Sequence, residues 1–223
     1  MALNIAMDGP VGAGKSTIAD EVAKRLDLIH LDTGAMYRAV GLTALRRGVD
    51  IADEEAVTKL CGEITMEVVY GPQGQRILVN GLDITGGLHT EEVSMAASKV
   101  ATYGGVRKAM VATQQRMAAT TDMLLDGRDI GTRVLPNATV KIFLTADAQE
   151  RARRRFDQLK QKGIEADFNE VLADLKKRDE QDMNRAIDPL KAAPDAVIVD
   201  STGLSFEETV ESIVELVKER AHG

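Results

Sequence analysis

The sequence predicts an α/β fold built on a mostly parallel sheet, and three observations carry that prediction. Short apolar runs alternate along the chain with longer amphipathic segments. One stretch in the middle switches to alternating apolar residues around turn signals. The composition is that of a globular protein: at 223 residues, 44% hydrophobic and 28% charged, the chain can bury a substantial core as one domain.

In chain order, the apolar runs predict strands over Leu3–Met7, Leu28–Leu31, Met123–Leu125, Val140–Leu144 and Ala196–Val199. Segments of helical period lie between them: Ser16–Leu26, Ala35–Arg47, Val106–Thr120, Ala148–Lys162, Asn169–Arg185 and Phe206–Ala221. Strands alternating with helices imply right-handed crossovers and a sheet covered on both faces. The exception is "GEITMEVVYGPQGQRILVNGLDITGG", whose Gly-Pro-Gln-Gly and Asn-Gly turns predict a small antiparallel insert over Cys61–His89. A Lys/Gln/Gly-rich bend at Gln158–Ile164 predicts a mobile hairpin between two charged helices.

Composition also excludes function classes. A net charge of −7 argues against nucleic acid or a membrane surface as partner, which calls for a basic footprint. The one cysteine, Cys61, allows neither an intrachain disulfide nor a cysteine-based zinc site. "MALNIAMDGP" has no export signal, and no apolar run approaches the ~20 residues of a membrane span. The expectation is a cytoplasmic protein.

The strongest chemical signal is "GPVGAGKST", Gly9 to Thr17, which fits the P-loop pattern of glycine, four residues, Gly-Lys, then Ser or Thr. It follows a predicted strand and opens an amphipathic helix, which is the context that gives the pattern meaning. Glycines turn backbone N–H groups inward, and the helix N-terminus adds a positive potential for phosphate. Lys15 is expected to reach the β- and γ-phosphates, and the Ser16 hydroxyl to complete a Mg²⁺ shell. The motif points to a nucleoside triphosphate but not to its acceptor. No Asn is followed by Lys, so the Asn-Lys-x-Asp guanine reader of a GTPase is absent.

Four further groups of charge lie at strand ends or on helices. "HLDTGAMYR" sets Thr33 and Gly34 in a turn and Tyr37 and Arg38 on the next helix, at the carboxyl end of a strand, where ligands of α/β sheets bind. Arg151, Arg154 and Arg155 share a helix face while Arg153 points away, and only Glu150 and Asp157 are near enough in sequence to compensate them. Arg178, Asp182 and Arg185 form one stripe that reads equally as a surface ion-pair ladder or as part of a site. "MLLDGRDIGT" places Asp126, Arg128 and Asp129 just past a buried strand, with Gly127 allowing a sharp turn.

Together "DGPVGAGKST", "LDTGAMYR", "VSMAASKVA…VRKAM", "LLDGRDIGT", "VKIFL", "ERARRR" and "KRDEQDMNRAIDPL" resemble the bacterial cytidylate kinases, a branch of the nucleoside monophosphate kinases, from Asn4 to about Val217. The resemblance implies one domain over 1–223: a three-layer P-loop fold with a five-stranded parallel sheet. It implies a phosphate loop at 9–17, a monophosphate-binding region at about 33–105 with its β insert at 61–89, and a short helical lid at 148–167. The implied reaction is ATP + CMP to ADP + CDP, in pyrimidine nucleotide metabolism, with Mg²⁺, dCMP as a second acceptor, and a monomeric protein.

Carried over residue by residue, Gly9, Pro10, Val11, Gly12, Ala13, Gly14, Lys15, Ser16 and Thr17 hold ATP. Ser98, Arg107 and Asp129 resemble cytosine readers, and Arg38, Arg128 and Arg185 resemble ligands of the acceptor phosphate. Arg178 and Asp182 resemble residues near the acceptor's sugar and phosphate, while Thr33 and Tyr37 line its pocket; Thr33 stands where serine is familiar. Asp126 fits a carboxylate that orients Mg²⁺ through water. Lys15, Arg128, Arg154 and Arg155 are the expected catalytic charges. The histidines His30, His89 and His222 need no catalytic role, with His30 read as strand-packed and His222 as tail. The other readings are a different small-molecule kinase acting on AMP, UMP or shikimate, and a nucleotide-binding regulator without turnover; the insert and the Arg107/Asp129 pairing favour the cytidylate branch.

Overall fold

A computed structural model describes residues 2–71 and 74–221. Pro72 and Gln73 of the expected Gly-Pro-Gln-Gly turn, and His222, lie outside the described residues. The chain divides into two compact units, one formed by the chain up to His30 and from Thr121 onward, the other by Leu31–Thr120.

All five expected strands form: β1 (Asn4–Asp8), β2 (Ile29–Asp32), β6 (Met123–Gly127), β7 (Val140–Thr145) and β8 (Val197–Asp200). Their order in the sheet is β2-β6-β1-β7-β8. The strand β1 runs parallel to both β6 and β7, and β7 parallel to β8. Each strand runs past its expected end, onto Asp8, Asp32, Asp126–Gly127, Thr145 or Asp200. An apolar pattern stops at the first polar side chain, whereas a backbone ladder does not. The polar residues thus lie inside the carboxyl ends of the strands, held by the sheet.

In this first unit, α1 (Lys15–Arg25) and α8 (Phe206–Ala221) pack on the sheet. Ile18, Val22, Val210, Ile213 and Val217 join Ile5, Met7, Leu124, Ile142 and Leu144 in one core cluster. The two charged helices are α6 (Ala148–Gln161) and α7 (Phe168–Asn184). They meet through an edge-to-face contact of Phe156 with Phe168, 6.1 Å between ring centroids. Arg185 lies just beyond α7 in extended backbone, so the Arg178–Asp182–Arg185 stripe ends before its third member.

The second unit holds α2 (Thr33–Arg46), α3 (Glu54–Glu63), β3 (Met66–Gly71), β4 (Gly74–Val79), β5 (Leu82–Asp83), α4 (Glu91–Val100) and α5 (Gly104–Ala118). The three strands form a separate antiparallel sheet in the order β3-β4-β5. Asn80 and Gly81, at φ 51° and 77°, make the expected hairpin turn. The insert is shorter than 61–89, because α3 carries Cys61 and the first strand begins at Met66. Thr33 and Gly34 are not a turn: Asp32 caps α2 through Ala35 N, and the helix starts at Thr33.

Two helices, α3 and α4, were not expected. In α4 the reason is its packing on α2: a Cβ on Gly41 would lie 3.0 Å from the Ala96 Cβ and 3.1 Å from Ala97 N. Helices this close need small residues at the contact, and Ala96 and Ala97 stand with Val93 and Val100 on the buried face of α4, a helical period confined to ten residues. No helix among the described residues is long and apolar enough to cross a membrane.

Candidate functional site

The phosphate loop leaves β1, the central strand, and enters α1. Two glycines there are required by the backbone. A Cβ on Gly9 would stand 2.0 Å from the Leu144 carbonyl oxygen of β7, and Gly14 is left-handed at φ 83°. Gly14 occupies the N-cap of α1 with no side-chain cap, unlike α2, α3, α4, α6 and α7, each capped by an aspartate or threonine. The first amides of α1 are thereby open to an anion.

Lys15 is buried and donates to the Pro10 carbonyl at 2.7 Å. Burial pushes its ammonium down to about 7, and the nearby Arg128 charge works in the same direction. Ser16 Oγ donates to Asp126 Oδ2 at 2.9 Å, joining α1 to the end of β6. Burial alone would raise the Asp126 carboxyl, but the His30 hydrogen bond and charge, Lys15 and Ser16 hold it below the usual range.

Asp126 belongs to the stretch singled out in the sequence, and the structure spreads its charges over different partners. Arg128 Nε donates to Asp182 Oδ2 at 2.7 Å, and Arg185 donates to Asp129 Oδ1 at 2.9 Å. The Arg185 and Asp129 side chains are 6% and 8% exposed. Residues Asp182 and Arg185, 54 and 56 positions away, are thus brought onto the end of β6. Past Asp129 the chain makes a wide π-type turn, Ile130–Val134. Asp8 anchors that turn, its two carboxylate oxygens accepting from Ile130 N at 2.7 Å and Gly131 N at 2.8 Å. Burial pushes the Asp8 carboxyl up to about 6.

The arginines of α6 divide. Arg151 is buried, pairing with Asp179 Oδ2 at 2.8 Å and donating to the Val11 carbonyl of the phosphate loop at 2.8 Å. Arg154 donates to Glu150, to Ser201 Oγ at 3.2 Å and to the Ser201 carbonyl at 2.9 Å. Arg155 is half-buried and Arg153 exposed, as the helical period required. The compensating carboxylate that sequence proximity did not supply for Arg151 comes from α7. Arg178 is half-buried on that helix.

In the second unit, Tyr37 and Arg38 lie on α2, Ser98 on α4 and Arg107 on α5. Arg38 donates to Asp32 at 2.6 Å, while its Nε is buried without a hydrogen-bond partner. An orphaned guanidinium donor of that kind suits an oxyanion. Arg107 is 2% exposed, with its guanidinium 5.9 Å from the centre of the Tyr37 ring. Thr33 is buried and Ser98 half-buried.

Sequence reasoning missed His30. Instead of merely packing in β2, it places Nε2 2.8 Å from Asp126 Oδ1 and Nδ1 3.5 Å from Asp20 Oδ1. Only its place near a strand's carboxyl end could have drawn attention to it. Asp8 was likewise passed over, although it directly precedes Gly9 of the phosphate loop.

Magnesium fits the donor set. Among the described residues no cluster of three His, Cys, Asp or Glu could hold an ion by itself. An ion that arrives with a triphosphate needs only one or two protein oxygens, which Ser16 and Asp126 offer as a hydrogen-bonded pair.

A parallel sheet whose central strand feeds a glycine-rich loop and an uncapped helix headed by Lys and Ser defines a P-loop nucleotide-binding protein. The profile of the cytidylate kinase family matches residues 5–219. The chain is 47% identical to the cytidylate kinase of Shouchella clausii over 98% of this chain and 97% of that protein. Against the cytidylate kinase of Geobacillus kaustophilus the identity is 48%, again over 98% and 97%. An uncharacterised protein from Eubacterium ventriosum, 10% identical with a TM-score of 0.56 over 98% of this chain and 99% of that one, shares the fold. The chain belongs to the cytidylate kinase family.

Proposed function

We propose that this protein transfers the γ-phosphoryl group of ATP to CMP, and to dCMP as second acceptor, as a cytoplasmic monomer. The observation that carries the reading is the cluster at the carboxyl ends of β1 and β6. There Lys15 and the Ser16–Asp126 pair lie with Arg128–Asp182 and Arg185–Asp129, two arginines whose carboxylate partners come from distant parts of the chain. A nucleotide-binding regulator needs no such set; phosphoryl transfer, which turns on positioning and charge neutralisation, does.

The acceptor is a phosphate oxygen already ionised at neutral pH, so no strong general base is required. Lys15 holds the β- and γ-phosphates, and the incoming charge restores the proton that burial loosens. Ser16 and Asp126 would hold Mg²⁺, the latter through water, and the ion would supply Lewis-acid neutralisation of the phosphate charge there. Arg128 and Arg185 hold the acceptor phosphate with Arg38, whose orphaned Nε is a ready donor. Asp182 and Arg178 lie near the sugar, and Thr33 and Tyr37 line the acceptor pocket.

Asp129 accepts from the cytosine amino group, while Arg107 and Ser98 serve the ring's remaining polar edge. A carboxylate has about four lone-pair sites, so Asp129 can keep Arg185 and still take the N4 hydrogen. Uracil presents an acceptor there, and the mismatch costs about 1–3 kcal/mol. We assign 148–167 as the lid, about 33–105 as the monophosphate-binding region with its antiparallel insert, and Arg154 and Arg155 as lid charges. Arg154 must exchange Ser201 for phosphate to act.

A coupled ADP-release assay with Mg-ATP and a panel of CMP, dCMP, UMP, AMP and shikimate tests the reading. CMP is expected to be the best acceptor, closely followed by dCMP. Equal rates on CMP and AMP, or none on CMP, would sink it.

A further inference from the structure

The two oxygens of Asp126 have different partners. Oδ2 accepts from Ser16 Oγ at 2.9 Å, and Oδ1 lies 2.8 Å from His30 Nε2. An ionised carboxylate can only accept, so the proton in the second contact belongs to the imidazole. The ring itself is confined. It sits on β2 with its side chain 11% exposed, and Asp20 of α1 faces the other nitrogen at 3.5 Å. The Asp126 side chain is 4% exposed, so few waters can replace a lost partner. Without the imidazole, Oδ1 loses its 2.8 Å hydrogen bond, and the carboxylate is held less firmly in the orientation that pairs Oδ2 with Ser16.

We propose that His30 is a positioning residue for the donor site: it locks the Asp126 carboxylate so that the Ser16–Asp126 pair is already set to receive magnesium with ATP. The proposal rests on the ATP-dependent phosphotransfer reading above. It assigns His30 no contact with substrate, and it predicts a defect confined to the magnesium-dependent part of nucleotide binding.

The test is calorimetric, without acceptor, on the full chain: ATP affinity with excess Mg²⁺ and with EDTA, for wild type, His30→Leu and His30→Gln. The Gln amide places a donor near the position of Nε2. The Mg²⁺-dependent gain in ATP affinity is expected to fall about 3- to 10-fold in His30→Leu and to return to within about twofold of wild type in His30→Gln, with affinity in EDTA unchanged in all three. In steady state the KM for CMP should stay put.

Equal magnesium dependence in the three proteins overturns the proposal. So does a loss that appears equally in EDTA, or a Gln variant no better than Leu. If His30→Leu does not fold, the wild type still decides. The His30 Nε2–H resonance should shift on addition of Mg-ATP and not on ATP with EDTA, and a resonance indifferent to both refutes the coupling. A chain that binds Mg-ATP in this manner but leaves CMP untouched would refute the acceptor assignment and leave this proposal standing.

Discussion

Replacing Asp8 by asparagine should separate stability from catalysis. Asp8 is 3% exposed, and its two oxygens hold the amides of Ile130 and Gly131. Burial still raises its carboxyl from 3.8 to about 6, a difference of roughly two units, or about 3 kcal/mol against the ionised form. The two amide bonds are already counted in that figure, because they oppose the rise. The folded protein therefore binds this proton more tightly than the unfolded chain. Its stabilising effect is fully present below pH 4 and is lost as pH rises through about 6.

Asparagine mimics the protonated form but must turn amide hydrogens toward one of the two N–H donors, a cost of about 1–3 kcal/mol. Asp8→Asn should thus unfold at pH 7 no more readily than wild type, and up to about 2 kcal/mol less readily. It should also lack the wild-type loss of stability between pH 4 and 6. The turn after Arg128 and Asp129, by contrast, loses one charge-assisted anchor worth about 1.5–3 kcal/mol, so kcat/KM for CMP should fall roughly 10- to 100-fold while KM for ATP moves much less. Below neutrality the acceptor phosphate itself titrates near pH 6. Wild-type kcat/KM should then fall with two protons and the variant's with one. Urea denaturation at pH 5 and 7, beside steady-state kinetics with each substrate varied, gives both readouts. A variant within twofold of wild type on CMP, or one destabilised by more than about 3 kcal/mol at pH 7, would refute the reasoning.

Three more outcomes follow from the geometry. Lys15→Ala should lower kcat by about 100-fold or more, because no other side chain replaces a buried ammonium at the head of α1; single-turnover rates read this directly. Asp129→Ala should reduce the CMP/UMP ratio of kcat/KM about tenfold. It should also destabilise the fold by about 3 kcal/mol by stranding Arg185, and the ratio is insensitive to the folded fraction. Gly9→Ala should cost about 3–5 kcal/mol in chemical denaturation, since its Cβ meets backbone rather than a movable side chain; a melting curve like that of wild type would show that β7 can yield.

Much of the scaffold was legible because its signals are local. Five apolar runs separated by amphipathic segments fixed the parallel sheet, and Gly9–Thr17 marked the loop between β1 and α1. Arg128, Asp129, Asp182 and Arg185 could be singled out as charges, but their exchange of partners could not be read. The residues that pair lie more than fifty positions apart, and only the fold brings them together. Arg151 shows the limit most clearly. Local compensation was absent from its own helix, and the compensating Asp179 sits on the next one. The helix α4 is short, and its buried face of Val93, Ala96, Ala97 and Val100 spans only about two turns, too little for the period to stand out beside the neighbouring insert. His30 lies in its strand as expected, but a histidine in a strand carries no mark of the Asp126 that faces it.

The contact between Gly9 and the Leu144 carbonyl has a practical consequence for re-engineering. The floor of the donor site is welded to the backbone of a neighbouring strand, so library diversity spent on Gly9 will mostly return misfolded protein. Changes to phosphate-donor preference are better sought at Thr17, whose exposed side chain can be exchanged without asking the sheet to move.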